Sequence, residues 1–184
     1  MKATTIESSP DYAARLVRAL KAQEMKEAKG EAISEDVNWL EISREEVREK
    51  LAKDSIWDEP PIYRGREFEL LRSANLGSNY PTIDDIRIDA RTATSMKTLD
   101  LSTSAYQNVE VVDSTVRGYI DVLSEFTGFK WNEKEYLKGR DFEDLYLEVG
   151  IPKGRATVGQ IGKFRALQDY AVTRDVKLVV VQVP

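Results

Sequence analysis

Two residue types are missing from this chain, and their absence narrows the chemistry that it can perform. The 184 residues include no cysteine and no histidine. Without cysteine there are no disulfides and no thiolate metal sites. Without histidine, Ser-His and Cys-His nucleophile pairs, histidine-based ribonuclease chemistry and most zinc sites are also excluded. Any catalysis must therefore use Asp, Glu, Lys, Tyr, Ser or Thr.

Long hydrophobic runs are scarce as well. The longest covers only residues 178–181, so we expect no membrane-spanning segment. A hydrophobic fraction of 41% and a charged fraction of 32% are typical of a globular protein. The length suits one domain with a real core, or a domain with an appendage. The net charge of −5 counts against non-specific binding to polyanions, although a local basic groove remains compatible with it.

The first 60 residues are predicted to be helical. Ser9 and Pro10 fit the cap and the first position of a helix over residues 10–29. Residues 43–46, SREE, fit a capping box that starts a second helix. Residues 57–61, WDEPP, then indicate a linker. We therefore predict a helical N-terminal region over 1–60, accessory or related to delivery, and a separate domain over 61–184.

Helical and strand patterns alternate through the second region. Helical periodicity covers 66–76, 112–126 and 157–173, and strand patterns cover 83–88, 96–101, 144–150 and 177–183. The order helix, strand, strand, helix, strand, helix, strand predicts an α/β fold with a mixed central sheet flanked by helices. If the last two strands are parallel, the final strand-helix-strand unit is a right-handed crossover.

The most informative stretch is residues 82–101, TIDDIRIDARTATSMKTLDL. Both ends alternate apolar and polar residues around a predicted turn at 89–91, which predicts a hairpin. Ser95 and Lys97 are two apart, so they project from one face of the second strand, and the hairpin brings Asp84 close to that face. A carboxylate beside a lysine and a hydroxyl can bind a divalent metal and a scissile phosphate together.

Metal-dependent phosphodiester hydrolysis calls for a second carboxylate, which the preceding helix can supply. Glu67 and Glu69 are the available residues, and they lie on different faces because they are two positions apart. The simpler alternative is that both glutamates are solvated and that Asp84 and Lys97 form an ordinary surface ion pair.

Two polar residues near the start of the helix at 157–173 are candidate substrate contacts. Gln160 is predicted to touch the phosphate backbone, and Lys163 adds a cation one turn later. The alternative for Gln160 is packing, or a cap at the helix start. The aromatic residues of the region are expected in the core, namely Tyr106, Tyr119, Phe126 and Phe129.

The region from Gly65 to Pro184 resembles the nuclease toxin domains of bacterial contact-dependent growth inhibition and related polymorphic toxin systems, within the PD-(D/E)xK phosphodiesterase group. The most specific element is residues 93–100, ATSMKTLD, which match an Ala-Thr-Ser-x-Lys-Thr-Leu-Asp pattern at the expected distance after Asp84. Other matches are Gly65 with Phe68-Glu69, Thr82-Ile83-Asp84, Tyr119-Ile120-Asp121, Phe126 with Gly128, Ile151-Pro152, Gln160 and Tyr170-Ala171.

The resemblance implies a site and a biological role. It implies that Glu69 and Asp84 hold a divalent metal, with Mg²⁺ preferred and Mn²⁺ or Zn²⁺ as alternatives. Ser95 and Lys97 complete the catalytic set in this interpretation. The chain would be a metal-dependent endonuclease that hydrolyses DNA or tRNA. It would be secreted as part of a larger toxin and delivered to the cytoplasm of a target bacterium, and a cognate immunity protein would protect the producer.

Other interpretations remain open from the sequence. The same fold can act without catalysis, as a binding module for nucleic acid or for a protein partner, and the acidic net charge of −5 favours the latter. An unrelated structural domain is the third possibility. The choice between DNA and RNA also stays open.

Overall fold

The computed structural model describes residues 39–77, Tyr80, 82–131 and 133–184. The helix predicted over residues 10–29 lies outside the described residues. The elements in chain order are β1 (Trp39–Glu41), α1 (Arg44–Leu51), α2 (Pro61–Leu71), β2 (Asp85–Arg87), β3 (Thr92–Thr98), α3 (Ser104–Gln107), α4 (Val109–Ser124), β4 (Gly128–Trp131), β5 (Lys134–Leu137), β6 (Asp144–Pro152), α5 (Val158–Val172) and β7 (Val176–Val183).

A five-stranded sheet with the order β1-β7-β6-β3-β2 organises the fold. β1, β7, β6 and β3 run parallel to one another, and β2 pairs antiparallel with β3. This mixed sheet with flanking helices confirms the predicted α/β class. Strands β4 and β5 form a separate antiparallel hairpin.

The two faces of the sheet carry different helices. Alternate residues of β6, from Leu145 to Ile151, join the main core with α4 and α5. Helix α2 packs on the opposite face, where the ring of Phe68 lies against Gly150. A Cβ atom at Gly150 would lie 2.9 Å from that ring, so the absence of a side chain allows α2 to approach the sheet.

Helix α2 begins earlier and ends earlier than the helix predicted over 66–76. It starts at Pro61, because proline at the first helical position loses no intrahelical hydrogen bond. It ends at Leu71, and Ser73 takes a left-handed conformation with φ of 56° soon afterwards. The Ser43 half of the capping box predicted for α1 is present, because the Ser43 hydroxyl accepts a hydrogen bond from the Glu46 N–H at 3.0 Å.

Residues 39–60 contact the rest of the described chain closely. β1 is a strand inside the region predicted to be helical, and it pairs with β7 at the sheet edge. The Trp57 indole donates to the Val183 carbonyl at 2.9 Å, and Lys50 donates to the Leu71 carbonyl at 2.7 Å. The division at residue 60 stays a prediction, but these contacts favour a boundary before β1. Within the described residues, no helix is long and apolar enough to cross a membrane.

Candidate active site

The β2–β3 hairpin brings Asp84 and Lys97 together. The Asp84 Oδ2 atom accepts a hydrogen bond from the Met96 N–H at 2.6 Å and lies 3.4 Å from the Lys97 Nζ atom. The Lys97 ammonium also donates to the Met96 carbonyl at 2.9 Å. The Lys97 ammonium thus lies between the Asp84 carboxylate oxygen and the Met96 carbonyl oxygen at the end of β3.

This ion pair is partly withdrawn from water. The Lys97 side chain is 33% exposed and that of Asp84 is 15% exposed. Lys97 also lines the cavity described below. Partial burial lowers the local dielectric, so the two charges interact more strongly than an exposed pair. The pair is less exposed than the surface ion pair of the simpler alternative, and its catalytic role stays a prediction.

Glu69, on α2, is the second carboxylate at this point. Partial burial raises the pKa of Glu69 above its ordinary value, and the neighbouring Asp84 carboxylate raises it further. The charges of Lys97 and Arg66 act in the opposite direction and lower it. Asp84 and Lys97 are therefore both close enough to Glu69 to affect its ionisation.

The structure separates the two candidate glutamates. Glu69 lines the cavity with Lys97, whereas Glu67 forms an ion pair with Lys53. Residues two apart on a helix point to different faces, which explains the separation. Of the two, Glu69 is the one placed for a role beside Asp84.

Ser95 lies on the same strand face as Lys97 but deeper in the protein. It is 3% exposed and stands opposite Leu147 of β6, in the layer that faces the main core. Ser95 precedes Lys97 by two residues, so it lies further than Lys97 from the open end of β3. A phosphate could therefore approach Ser95 only from the end of β3 that carries Lys97.

Gln160 is built into the fold instead of facing a substrate. It is 1% exposed, its Oε1 accepts from the Thr157 N–H at 2.8 Å, and its Nε2 donates to the Tyr106 carbonyl at 2.8 Å. With Thr157 it forms the capping box of α5. These contacts support the capping alternative and argue against the predicted phosphate contact.

Lys163 is also placed away from the cavity walls. Its Nζ atom lies 2.8 Å from the Glu110 Oε1 atom of α4, and this hydrogen-bonded partner raises the pKa of Lys163. The residue thus bridges two helices. The described geometry gives it no contact with Asp84, Glu69 or Lys97.

A cavity of about 640 Å³ opens beside the three charged residues. Its walls come from the first turns of α2, the end of β3, the following loop, α3 and α4. The lining residues are Pro61, Ile62, Arg64, Gly65, Arg66, Glu69, Met96, Lys97, Thr98, Asp100, Thr103, Tyr106 and Tyr119.

Several lining residues were missed by the sequence reasoning. Arg64 lies between the predicted linker at 57–61 and the helix predicted over 66–76, and Arg66 is the first residue of that helix, so no pattern marked them. Tyr106 and Tyr119 were expected in the core and do pack against it in part, but both also line the cavity. This second role appears only in the fold, where residues of α2, α3 and α4 all line the cavity at the end of β3.

The donor set fits a hard divalent cation that keeps part of its water shell. Within the described ranges, no three acidic residues gather into a complete metal cage. Asp84 and Glu69 supply two carboxylates whose mutual repulsion a cation would relieve. Mg²⁺ is usually bound by one or two carboxylates together with water and substrate phosphate. The two residues present therefore fit such an ion.

Comparison with known proteins agrees with the fold. The family model of the CDI toxin restriction endonuclease-like domain matches residues 64–181. The structure is similar to a chain of the CdiA-CT/CdiI toxin and immunity complex from Yersinia pseudotuberculosis, with a TM-score of 0.52 and 23% sequence identity. That similarity covers 60% of this chain and 89% of the other, and at this identity it establishes the fold. No curated protein matches the chain.

Proposed function

This chain belongs to the family of CDI toxin restriction endonuclease-like domains, and we propose that it is a metal-dependent nuclease that hydrolyses phosphodiester bonds. The observation that carries the proposal is that Asp84 lies beside Lys97 and acts on Glu69, and that Lys97 and Glu69 both line the cavity. Two carboxylates and one ammonium at an open site are the groups that such hydrolysis needs.

Each residue has a distinct task in this proposal. Asp84 and Glu69 would hold the divalent ion, which supplies Lewis-acid chemistry at the phosphate when bound. Lys97 orients the attacking water and donates a hydrogen bond to the oxygen on which negative charge develops. The Met96 carbonyl and Asp84 fix the position of the ammonium before substrate arrives, so little reorganisation is needed. Ser95 is buried and outside the cavity lining, so its part in this proposal is to pack the strand that carries Lys97 and not to touch the phosphate.

The biological setting follows from the family. A nuclease of this kind would act as a toxin, delivered as part of a larger protein into the cytoplasm of a target bacterium. The Yersinia structure is a complex of toxin and immunity protein. We infer that this chain likewise has a cognate immunity protein, which protects the cell that makes it. The substrate would be DNA or tRNA.

One digestion assay tests the proposal. Purified protein is incubated with plasmid DNA and, separately, with tRNA, in the presence of Mg²⁺ or Mn²⁺ and with EDTA as the metal-free arm. We expect cleavage that EDTA abolishes and that Asp84→Ala and Lys97→Ala lose by at least about a hundredfold, the scale seen for removal of one transition-state contact. Lys163→Ala is the matched control, because this lysine lies outside the cavity.

The same assay can overturn the proposal. Cleavage that persists in Asp84→Ala would mean that the hydrolytic centre lies elsewhere. If the wild-type protein cuts neither nucleic acid with either metal, and is harmless when expressed alone in bacteria, the binding-module interpretation replaces the nuclease.

A further inference from the structure

Besides Glu69 and Lys97, the cavity is lined by aromatic and basic residues: Tyr106 on α3, Tyr119 on α4, and Arg66 one turn before Glu69 on α2. We propose that this cavity binds one unpaired nucleotide beside the phosphodiester that is cut, with Tyr106 and Tyr119 against the base and Arg66 on a phosphate. The inference rests on the proposed nuclease function, and it specifies which part of a nucleic acid the site accepts.

The size of the cavity is the first argument. A volume of about 640 Å³ lies within the range of pockets that enclose whole small molecules. A phosphate and an ion alone do not need this space. The cavity extends from Lys97 at the end of β3 to Tyr119 on α4, so it continues beyond the reacting groups.

The aromatic wall is the second argument. Tyr106 and Tyr119 pack partly against the main core, and both line the cavity. Burial raises the pKa of Tyr119, and the nearby Tyr106 raises it further, so the Tyr119 phenol stays protonated at neutral pH. Rings of this kind stack on nucleobases, and their hydroxyls can pair with the base edge. The buried Gln160 amide holds the Tyr106 backbone at 2.8 Å, which positions the ring before any ligand binds.

The distribution of positive charge is the third argument. Lys97 is held by Asp84 and the Met96 carbonyl. Arg64 is 8% exposed, and its Nη1 atom lies 3.3 Å from the Asp100 Oδ2 atom. Arg66 is exposed and, within the part of the chain that the structure describes, makes no ion pair.

Arg66 is therefore a lining cation that acts on Glu69 only through its charge and makes no ion pair within the described residues. A planar guanidinium can bind a phosphate through two hydrogen bonds, so it suits the phosphodiester of the bound nucleotide.

The requirement for an unpaired nucleotide follows from access. A base within a duplex has both faces stacked and its pairing edge occupied. It can reach the tyrosines only after leaving the stack, which costs a few kcal/mol in a duplex and much less in a single strand. We therefore expect the site to favour single-stranded segments, ends or mismatched positions over intact duplex.

Binding of short oligonucleotides tests this independently of catalysis. Full-length protein carrying Lys97→Ala is titrated, in EDTA, into a fluorescent single-stranded hexanucleotide and into the same sequence as a duplex, each as DNA and as RNA. We expect the single strand to bind at least about tenfold more tightly, consistent with the cost of extruding a base. Adding Tyr106→Ala should weaken single-strand binding by about 5- to 150-fold, the range for loss of one base–aromatic stack.

The arginine is tested in the same titrations. Adding Arg66→Gln should weaken binding and reduce the slope of log affinity against log salt by about one, as expected when one phosphate contact is lost. Arg155→Gln is the control, because it removes an equal charge from an exposed position outside the cavity lining. It should leave the ratio of single-strand to duplex affinity unchanged. Circular dichroism of each variant checks the fold.

Defined results overturn the inference. Equal affinity for the duplex and the single strand would overturn it. So would an unchanged single-strand affinity, relative to the Lys97→Ala parent, when Tyr106→Ala and Tyr119→Ala are each added. If a tyrosine variant fails to fold, the inference is decided by Arg66→Gln, which changes an exposed residue. An unchanged slope of log affinity against log salt in that variant would overturn it. The wild-type protein could show no nuclease activity while single-strand binding still depends on the tyrosines. That result would contradict the proposed function but support the nucleotide pocket.

Discussion

Arg72 and Glu148 form a two-point ion pair that ties the end of α2 to the middle of β6. The Arg72 Nε atom donates to Glu148 Oε2 at 2.7 Å, and its Nη2 atom donates to Oε1 at 3.1 Å. The two side chains are only 7% and 3% exposed. Because Glu69 lies one turn before Arg72, this pair also fixes the helix that carries the proposed metal ligand Glu69.

Breaking this pair should cost much of the protein's stability. We expect Glu148→Ala to lower the free energy of unfolding by about 3–5 kcal/mol, because a buried arginine loses the carboxylate that balances its charge. Urea unfolding measures the change. Glu143→Ala is the matched control, since its pair with Arg91 is exposed and should contribute less than about 1 kcal/mol. Similar losses in both variants would show that the buried pair does not anchor α2.

Metal binding should depend on the carboxylates and not on the lysine. A divalent ion that binds only the folded state raises the melting temperature. We expect Mg²⁺ or Mn²⁺ to raise the melting temperature of the wild-type protein, and Glu69→Gln and Asp84→Asn to lose this shift. Lys97→Ala should retain it while losing cleavage, because removing the ammonium leaves the carboxylates to the metal. A wild-type protein that shows no shift at millimolar metal would contradict the assigned metal ligands.

Asp141 should give the protein a measurable acid sensitivity. A hydrogen bond from the Leu137 N–H lowers the pKa of Asp141 below its ordinary 3.8, and Arg140 contributes in the same direction. A lowered pKa stabilises the folded state above pH 3.8, and this stabilisation is lost as the pH falls through the folded-state value. Asp141→Asn should therefore be less stable than wild type at neutral pH, and the difference should shrink in strong acid. Thermal unfolding across this pH range measures it, and a constant difference would contradict the prediction.

The boundary of the folded unit can be tested by truncation. Residues 39–60 supply β1 and the contacts of Lys50 and Trp57 with the remaining chain. We expect a fragment of residues 39–184 to melt at the same temperature as the same residues do in the full chain. A fragment of residues 61–184 should fold with a lower melting temperature, because it exposes the edge of β7. Equal melting temperatures would support the division at residue 60.

Local features of the sequence determined much of the site. The Ser43 cap and the β2–β3 hairpin depend on residues close together in the chain, so patterns of caps and alternation predicted them. Asp84 and Lys97 are thirteen positions apart on the two arms of one hairpin, and their meeting needed no distant contact. The mixed α/β class also followed from the order of the patterns.

Only the tertiary structure decided the features that depend on distant parts of the chain. Three residues of β1 become a strand because the edge of β7 offers them hydrogen bonds. Glu69 is distinguished from Glu67 by the face of α2 that packs near β3. Gln160 turns inward because the Tyr106 carbonyl needs a donor. Such partners lie tens of residues away in sequence, where neither spacing nor propensity can specify which groups will meet.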